Sequence, residues 1–324
     1  MATFVPAMPK LPTVITTSVI RSARQGESHG GVYLVDLESG DFQQMIDWND
    51  PSISWEGRGG DRGLRGIAFY RDKVYIAASD EVFVYTRTFE LLESYRSKYL
   101  KHCHEICMLG DTLYLTSTGL NSVLEFDLMR SQFTRSHTII YRKQEGLLRR
   151  LLSPDQLQVI TFDLNGSERP PAEFARNDLH LNSVAPCGDA ITLAGTRHSA
   201  LLLLQDGALS EYAALPLGTH NARADNDGII YNDTRADRIV IATKENEVRR
   251  TFPVPEYPDL PSSTPSDHAR QMFGRGLCTF GADFIIAGSS PSTISVYHRD
   301  SGERVRMINL SRDVRNAIHG LELW

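Results

Sequence analysis

The chain of 324 residues is 41% hydrophobic and 23% charged, the composition of an ordinary globular protein with material for a sizeable core. Its formal net charge of −6 argues against a general nucleic-acid binder, which needs a basic face. No run of 18 apolar residues occurs, so no membrane partner is expected, and the opening MATFVPAMPKLPTVITTSV is broken by Lys and Pro where a signal peptide needs a continuous apolar core, so the expected location is the cytoplasm.

Taken in chain order, the first predicted elements are three strands, TVITTSVIR, GGVYLVDL and FQQMIDW. Each alternates apolar with polar residues between turn formers, the pattern of a half-buried antiparallel strand. A long connection, residues 49–64, then leads into a repeating unit. The unit first reads RGIAFYRDKVYIAASDEVFVY from Arg65 and returns as HEICMLGDTLYLTSTGLNSVLEFDL from His104. It recurs as NSVAPCGDAITLAGTRHSALLLL from Asn182, HNARADNDGIIYNDTRADRIVI from His220 and RGLCTFGADFIIAGSSPSTISVY from Arg275.

Each unit reads as a short strand, a Gly/Asp turn, a second strand, a polar turn and a third strand. A fourth follows in several units, for example FTRSHTIIY from Phe133 and EVRRTFPV after Asn246. Four short antiparallel strands make one propeller blade. The chain closes with AIHGLELW, the first strand of a further unit, anchored at His319. Paired with the three N-terminal strands it completes a sixth blade and leaves no open edge.

The expectation is therefore an all-β, six-bladed β-propeller spanning residues 1–324 as one domain. The gap from His104 to Asn182 is twice that from Arg65 to His104, which raises a seventh blade. Residues 142–178 offer only one clear strand and a Leu/Arg-rich stretch, however. They read as an insertion, with a short helix possible near Gly146–Leu152. This insertion and the loops 49–64 and 255–272 all lead into first strands, so they are expected to cover one mouth of the propeller.

Aligning the units places one residue per blade at the start of the innermost strand, in the order His319, Arg65, His104, Asn182, His220, Arg275. These side chains are expected to converge on the axis, with the histidines on alternate blades. Three neutral imidazoles facing one point suit a divalent transition metal with an open position, and imidazole alone does not choose among Fe, Zn, Cu and Ni. His104, His220 and His319 are thus the expected metal ligands. Arg65 and Arg275, flanking His319, carry the donor fork that matches a small anionic substrate, with Asn182 as a further hydrogen-bond partner. The competing expectation pairs each arginine with a carboxylate such as Glu105 or Asp233.

Turns between the second and third strands open on the same mouth and offer Ser117, Thr118, Thr196, Arg197, His198, Asn232, Asp233, Thr234 and Ser290. His102 and His180 precede their anchors by two residues, and His268 lies in a long loop. All of these, with His198, are candidates to join the site. The four cysteines show no CxxC pair and read as packing residues. A GxSxG elbow, a Walker loop, HExxH and a dinucleotide fingerprint are all missing from the sequence.

The repeats resemble the six-bladed propeller superfamily of gluconolactonase-like, strictosidine-synthase-like and NHL-type proteins. THNAR, FGRGLC, GSSPST and NAIHGLE are more similar to a group of bacterial propellers described only as conserved proteins. The gluconolactonase resemblance would imply calcium held by Glu, Asn and Asp, yet the matching positions here are His and Arg. Axial histidines look more like those of carotenoid-cleaving oxygenases or streptogramin-type lyases. Two functions follow as expectations: a metal-dependent enzyme acting on a small anion, or a non-catalytic propeller binding a ligand or protein at the same mouth.

Overall fold

The alternation of Val, Ile, Leu and Tyr with small or polar residues produces twenty-five strands among the described residues. The structure, a computed structural model, describes residues 9–49, 63–142, 156–166, 177–226, 228–264 and 269–324. The expected short helix near Gly146–Leu152, His268 and most of the 49–64 loop lie outside them.

The first blade contributes β1 (Thr13–Ile20), β2 (Gly30–Asp36) and β3 (Phe42–Asp47). The second holds β4 (Ile67–Tyr70), β5 (Lys73–Ala77), β6 (Glu81–Thr86) and β7 (Leu91–Arg96). The third holds β8 (Ile106–Leu109), β9 (Thr112–Ser117), β10 (Ser122–Asp127), β11 (Gln132–Arg142) and β12 (Gln156–Asp163). The fourth holds β13 (Leu181–Cys187), β14 (Ala190–Gly195), β15 (Ala200–Gln205) and β16 (Ala208–Ala214). The fifth holds β17 (Thr219–Asp225), β18 (Gly228–Asp233), β19 (Arg238–Ala242) and β20 (Val248–Pro253). The sixth holds β21 (Leu277–Phe280), β22 (Phe284–Ser289), β23 (Thr293–His298) and β24 (Arg304–Asn309), and β25 (Asn316–Leu323) ends the chain.

The ring closes as expected. The first sheet has the order β25-β1-β2-β3, with Val14 opposite Leu323 and Ile20 opposite Asn316. The strand foreseen inside the insertion is β12, which pairs with β11 as a fifth, outermost strand of the third blade.

Each pair of neighbouring blades encloses its own apolar cluster. Val14, Val35 and Ile318 meet Phe284, Ile286 and Val296 between the closing blade and the sixth. Ile15, Val32 and Trp48 meet Ile67, Val74 and Ile76 on the other side. Four further clusters fill the remaining interfaces. Cys103, Cys107 and Cys278 are free and buried within such clusters, where desolvation raises their thiol pKa values. Among the described residues no helix is long and apolar enough to cross a membrane.

Candidate functional site

Arg65, His104, Asn182, His220 and Arg275 lie where their innermost strands begin, whereas His319 lies in the middle of β25 because that strand starts early to pair with β1; all six anchors are buried. A break in ladder register marks each anchor whose strand is already paired there. The shift in β13 falls between Leu181 and Ser183, leaving Asn182 unmatched, and that in β17 falls between His220 and Arg223. The ladder between β1 and β25 also slips, between Thr16 and Ser18, beside His319. At two other anchors, two residues face one: Arg65 N–H donates to Ala77 O while Ala77 N–H donates to Gly66 O, and Arg275 and Gly276 face Gly288 the same way. An extra residue of this kind re-aims a side chain out of the regular pleat.

His104 and His220 are held by the same construction. The Nδ1 of His104 lies 2.8 Å from the carbonyl oxygen of His102 and 2.8 Å from Thr118 Oγ1. The Nδ1 of His220 lies 3.2 Å from Gly218 O and 3.1 Å from Thr234 Oγ1. Each threonine hydroxyl donates its own proton to a carbonyl, Thr118 to Leu181 O and Thr234 to Gly218 O, so each must accept from the imidazole. Both rings therefore carry their proton on Nδ1 and present the Nε2 lone pair.

Arg275 lies against the Nε2 atoms of His220 and His319. Its Nη2 lies 3.2 Å from His220 Nε2, and its Nη1 lies against His319 Nε2. The Arg65 guanidinium reaches a neighbouring blade, donating from Nη1 to Cys103 O at 2.8 Å. Burial, reinforced by the arginine charges, lowers the pKa of His104, His220 and His319 well below the ordinary value, so all three rings are neutral. For His104 and His319 the charges of both Arg65 and Arg275 contribute to this lowering.

The suggested carboxylate partners are engaged elsewhere. Asp233 Oδ2 binds Arg238 at 3.1 Å, and Glu105 Oε2 accepts from Asn221 Nδ2 at 2.8 Å. Asn182 joins two blades, donating from Nδ2 to Thr219 O at 3.3 Å and accepting from Ser183 Oγ.

Of the additional histidines, His180 comes closest, its ring centroid 5.3 Å from that of His104 and its pKa pushed down to about 4, chiefly by burial. His102 serves through its backbone carbonyl, while its exposed ring lies near Ser79. His198 sits in the turn after β14.

Two contributors have no signal in the repeat alignment. Phe273 packs edge-on against His220, with ring centroids 5.2 Å apart, and the guanidinium carbons of Arg275 and Arg21 each lie 5.0 Å from its ring centre. Arg21, after β1, also depresses the pKa of His220 and His319. Its proximity follows only from ring closure.

As arranged, the residues do not fit a metal. Two of the three expected Nε2 donors face guanidinium N–H groups, and among the described residues no three His, Cys, Asp or Glu side chains form a group that could hold a metal ion.

The chain is a six-bladed β-propeller with a histidine–arginine mouth. No protein-family model matches it, and no curated protein matches it. Among solved structures it is similar to a protein of unknown function from Bacteroides caccae, at 10% identity and a TM-score of 0.56, covering 96% of this chain and 98% of that one. A nidogen/laminin complex gives 10% identity and a TM-score of 0.57, over 95% and 97%. Likenesses at this identity concern the fold alone.

Proposed function

We propose that the axial mouth binds a small anionic molecule. The observation that carries this reading is the Arg275 guanidinium braced between His220 and His319, with every axial imidazole kept neutral. Neutral rings accept from the arginine and hold its donor fork in one orientation, which favours a carboxylate, sulfate or phosphate. Arg65 adds its charge from the second blade.

A second reading, the three-histidine metal enzyme, is favoured by one feature. Fixing Nδ1–H on a backbone carbonyl, as in His104 and His220, is how metal-binding imidazoles are commonly oriented. It requires Arg275 to leave the Nε2 atoms.

Calorimetry with phosphate, sulfate and small mono- and dicarboxylates tests the first reading, alongside metal analysis of protein purified without chelators. Saturable anion binding that weakens about tenfold or more in Arg275→Met supports the proposal. Anion binding equal in both proteins overturns it. Stoichiometric metal that disappears only in the His104→Ala, His220→Ala, His319→Ala triple variant supports the metal centre instead.

A further inference from the structure

At the end of the propeller opposite the mouth, a cavity of about 410 Å³ opens between the third and fourth blades. Its position follows from the strand directions. The third blade contributes Leu109 at the far end of β8, Tyr114, Glu125 and His137, while the fourth contributes the turns around Asp189 and Asp206. The volume falls in the range of small-molecule pockets.

One wall is a hydrogen-bonded file across three strands. Thr161 Oγ1 lies 2.9 Å from His137 Nδ1, and His137 Nε2 lies 2.7 Å from Glu125 Oε1. The register produces this file, since His137 pairs directly with Thr161 and Arg135, two residues earlier on the same face, pairs with Glu125. His137 and Glu125 are 5% and 13% exposed, so the carboxylate is held deep in the wall while keeping lone pairs to spare. Ala190, Ile191 and Leu204, all buried, supply apolar surface. Asp189 and Asp206 stand on the exposed rim.

Charge decides the sign of a guest. Among the described residues that line it, Glu125, Asp189 and Asp206 face a single arginine, Arg135, which is 61% exposed and 3.7 Å from Glu125. The same field is felt at Tyr114, whose pKa is pushed up to about 12 by burial and then by the Glu125 charge, with Asp206 a smaller contributor. Size decides the kind of guest. No three of these carboxylate and imidazole groups could hold a metal ion, and the cavity is far larger than one ion.

We propose that this inter-blade cavity is a second binding site, for a small organic cation with one or two amino groups on a short aliphatic body. Its ammonium would meet Glu125 and the rim carboxylates, its methylenes the apolar residues, and the Tyr114 ring would offer a cation–π face.

The probe is butane-1,4-diamine, titrated into the full chain by calorimetry at low salt. Expected is one saturable site whose affinity falls about tenfold in Glu125→Gln and again in Asp206→Asn, while Arg275→Met leaves it unchanged. Asp206 lies in an exposed turn at φ 50°, a conformation Asn tolerates, so that variant keeps the fold if Glu125→Gln does not. No saturable heat at millimolar diamine, or equal affinity in Asp206→Asn, overturns the proposal. Failure here leaves the anion site at the mouth untouched, because probe, residues and end of the propeller all differ.

Discussion

Directly beyond the axial ring, Glu105 shares the channel with Glu322 and Arg223, and Asn221 binds its carboxylate. Burial, followed by the Glu322 charge, pushes the Glu105 pKa up to about 8, with Arg223 opposing. Cys107 also faces this carboxylate. A carboxyl whose pKa is raised on folding binds its proton more tightly in the folded state, so the stability it contributes is present below the unfolded value of about 4.5 and is lost as pH rises through about 8. Glu105→Gln keeps the acceptor for Asn221 and removes the titration. Its melting temperature relative to the parent is expected to climb from pH 5 to pH 8 and then level off, as read by thermal scans across pH. A constant difference would contradict this. The axial histidines act in the opposite sense, since their lowered pKa values cost stability as pH falls below about 6.5.

At the scale of the element, the register shifts need small residues where inner strands crowd together. Gly320 follows His319 in β25, and a Cβ built there would lie 2.3 Å from Arg65 O. Gly320 N–H also donates to Thr17 Oγ1 at 2.8 Å, and the same hydroxyl donates to Arg65 O at 2.6 Å. Gly320→Ala would force the closing strand away from the second blade. A loss of about 1–3 kcal/mol is expected in denaturant unfolding, the usual cost of overpacking. The change should also lower affinity for the anion at the mouth, because it displaces both His319 and Arg65. Unchanged stability and affinity would show that the backbone absorbs the methyl group.

For the whole molecule, closure rests on β25, which seals the first blade and carries Ile318 and Leu321 into the cluster shared with the sixth. A chain ending at residue 315 loses both side chains, worth about 1.5–3 kcal/mol each, and exposes the edge of β1. Size-exclusion chromatography should find it aggregated, or its melting transition broadened and shifted well down. Adding the peptide of residues 316–324 should restore part of the loss, the outcome expected if closure is strand pairing rather than a covalent requirement.

Blade count, strand order within blades and the split closing blade were legible in the sequence, because period-2 alternation and turn residues are local properties that a repeat displays six times over. The six anchors were legible for the same reason. What the amino-acid order could not convey is where their polar atoms go. Thr118 and Thr234 fix the tautomers of His104 and His220 from fourteen residues away, and Arg275 reaches His319 from forty-four. Phe273 and Arg21 meet only because the first and last strands pair. The alignment therefore identified a ring of histidines and arginines, and only tertiary structure decided that a guanidinium stands between two of the imidazoles. The physical reason is that hydrogen-bond direction and burial depend on contacts between blades, whereas strand formation depends on neighbours along the chain.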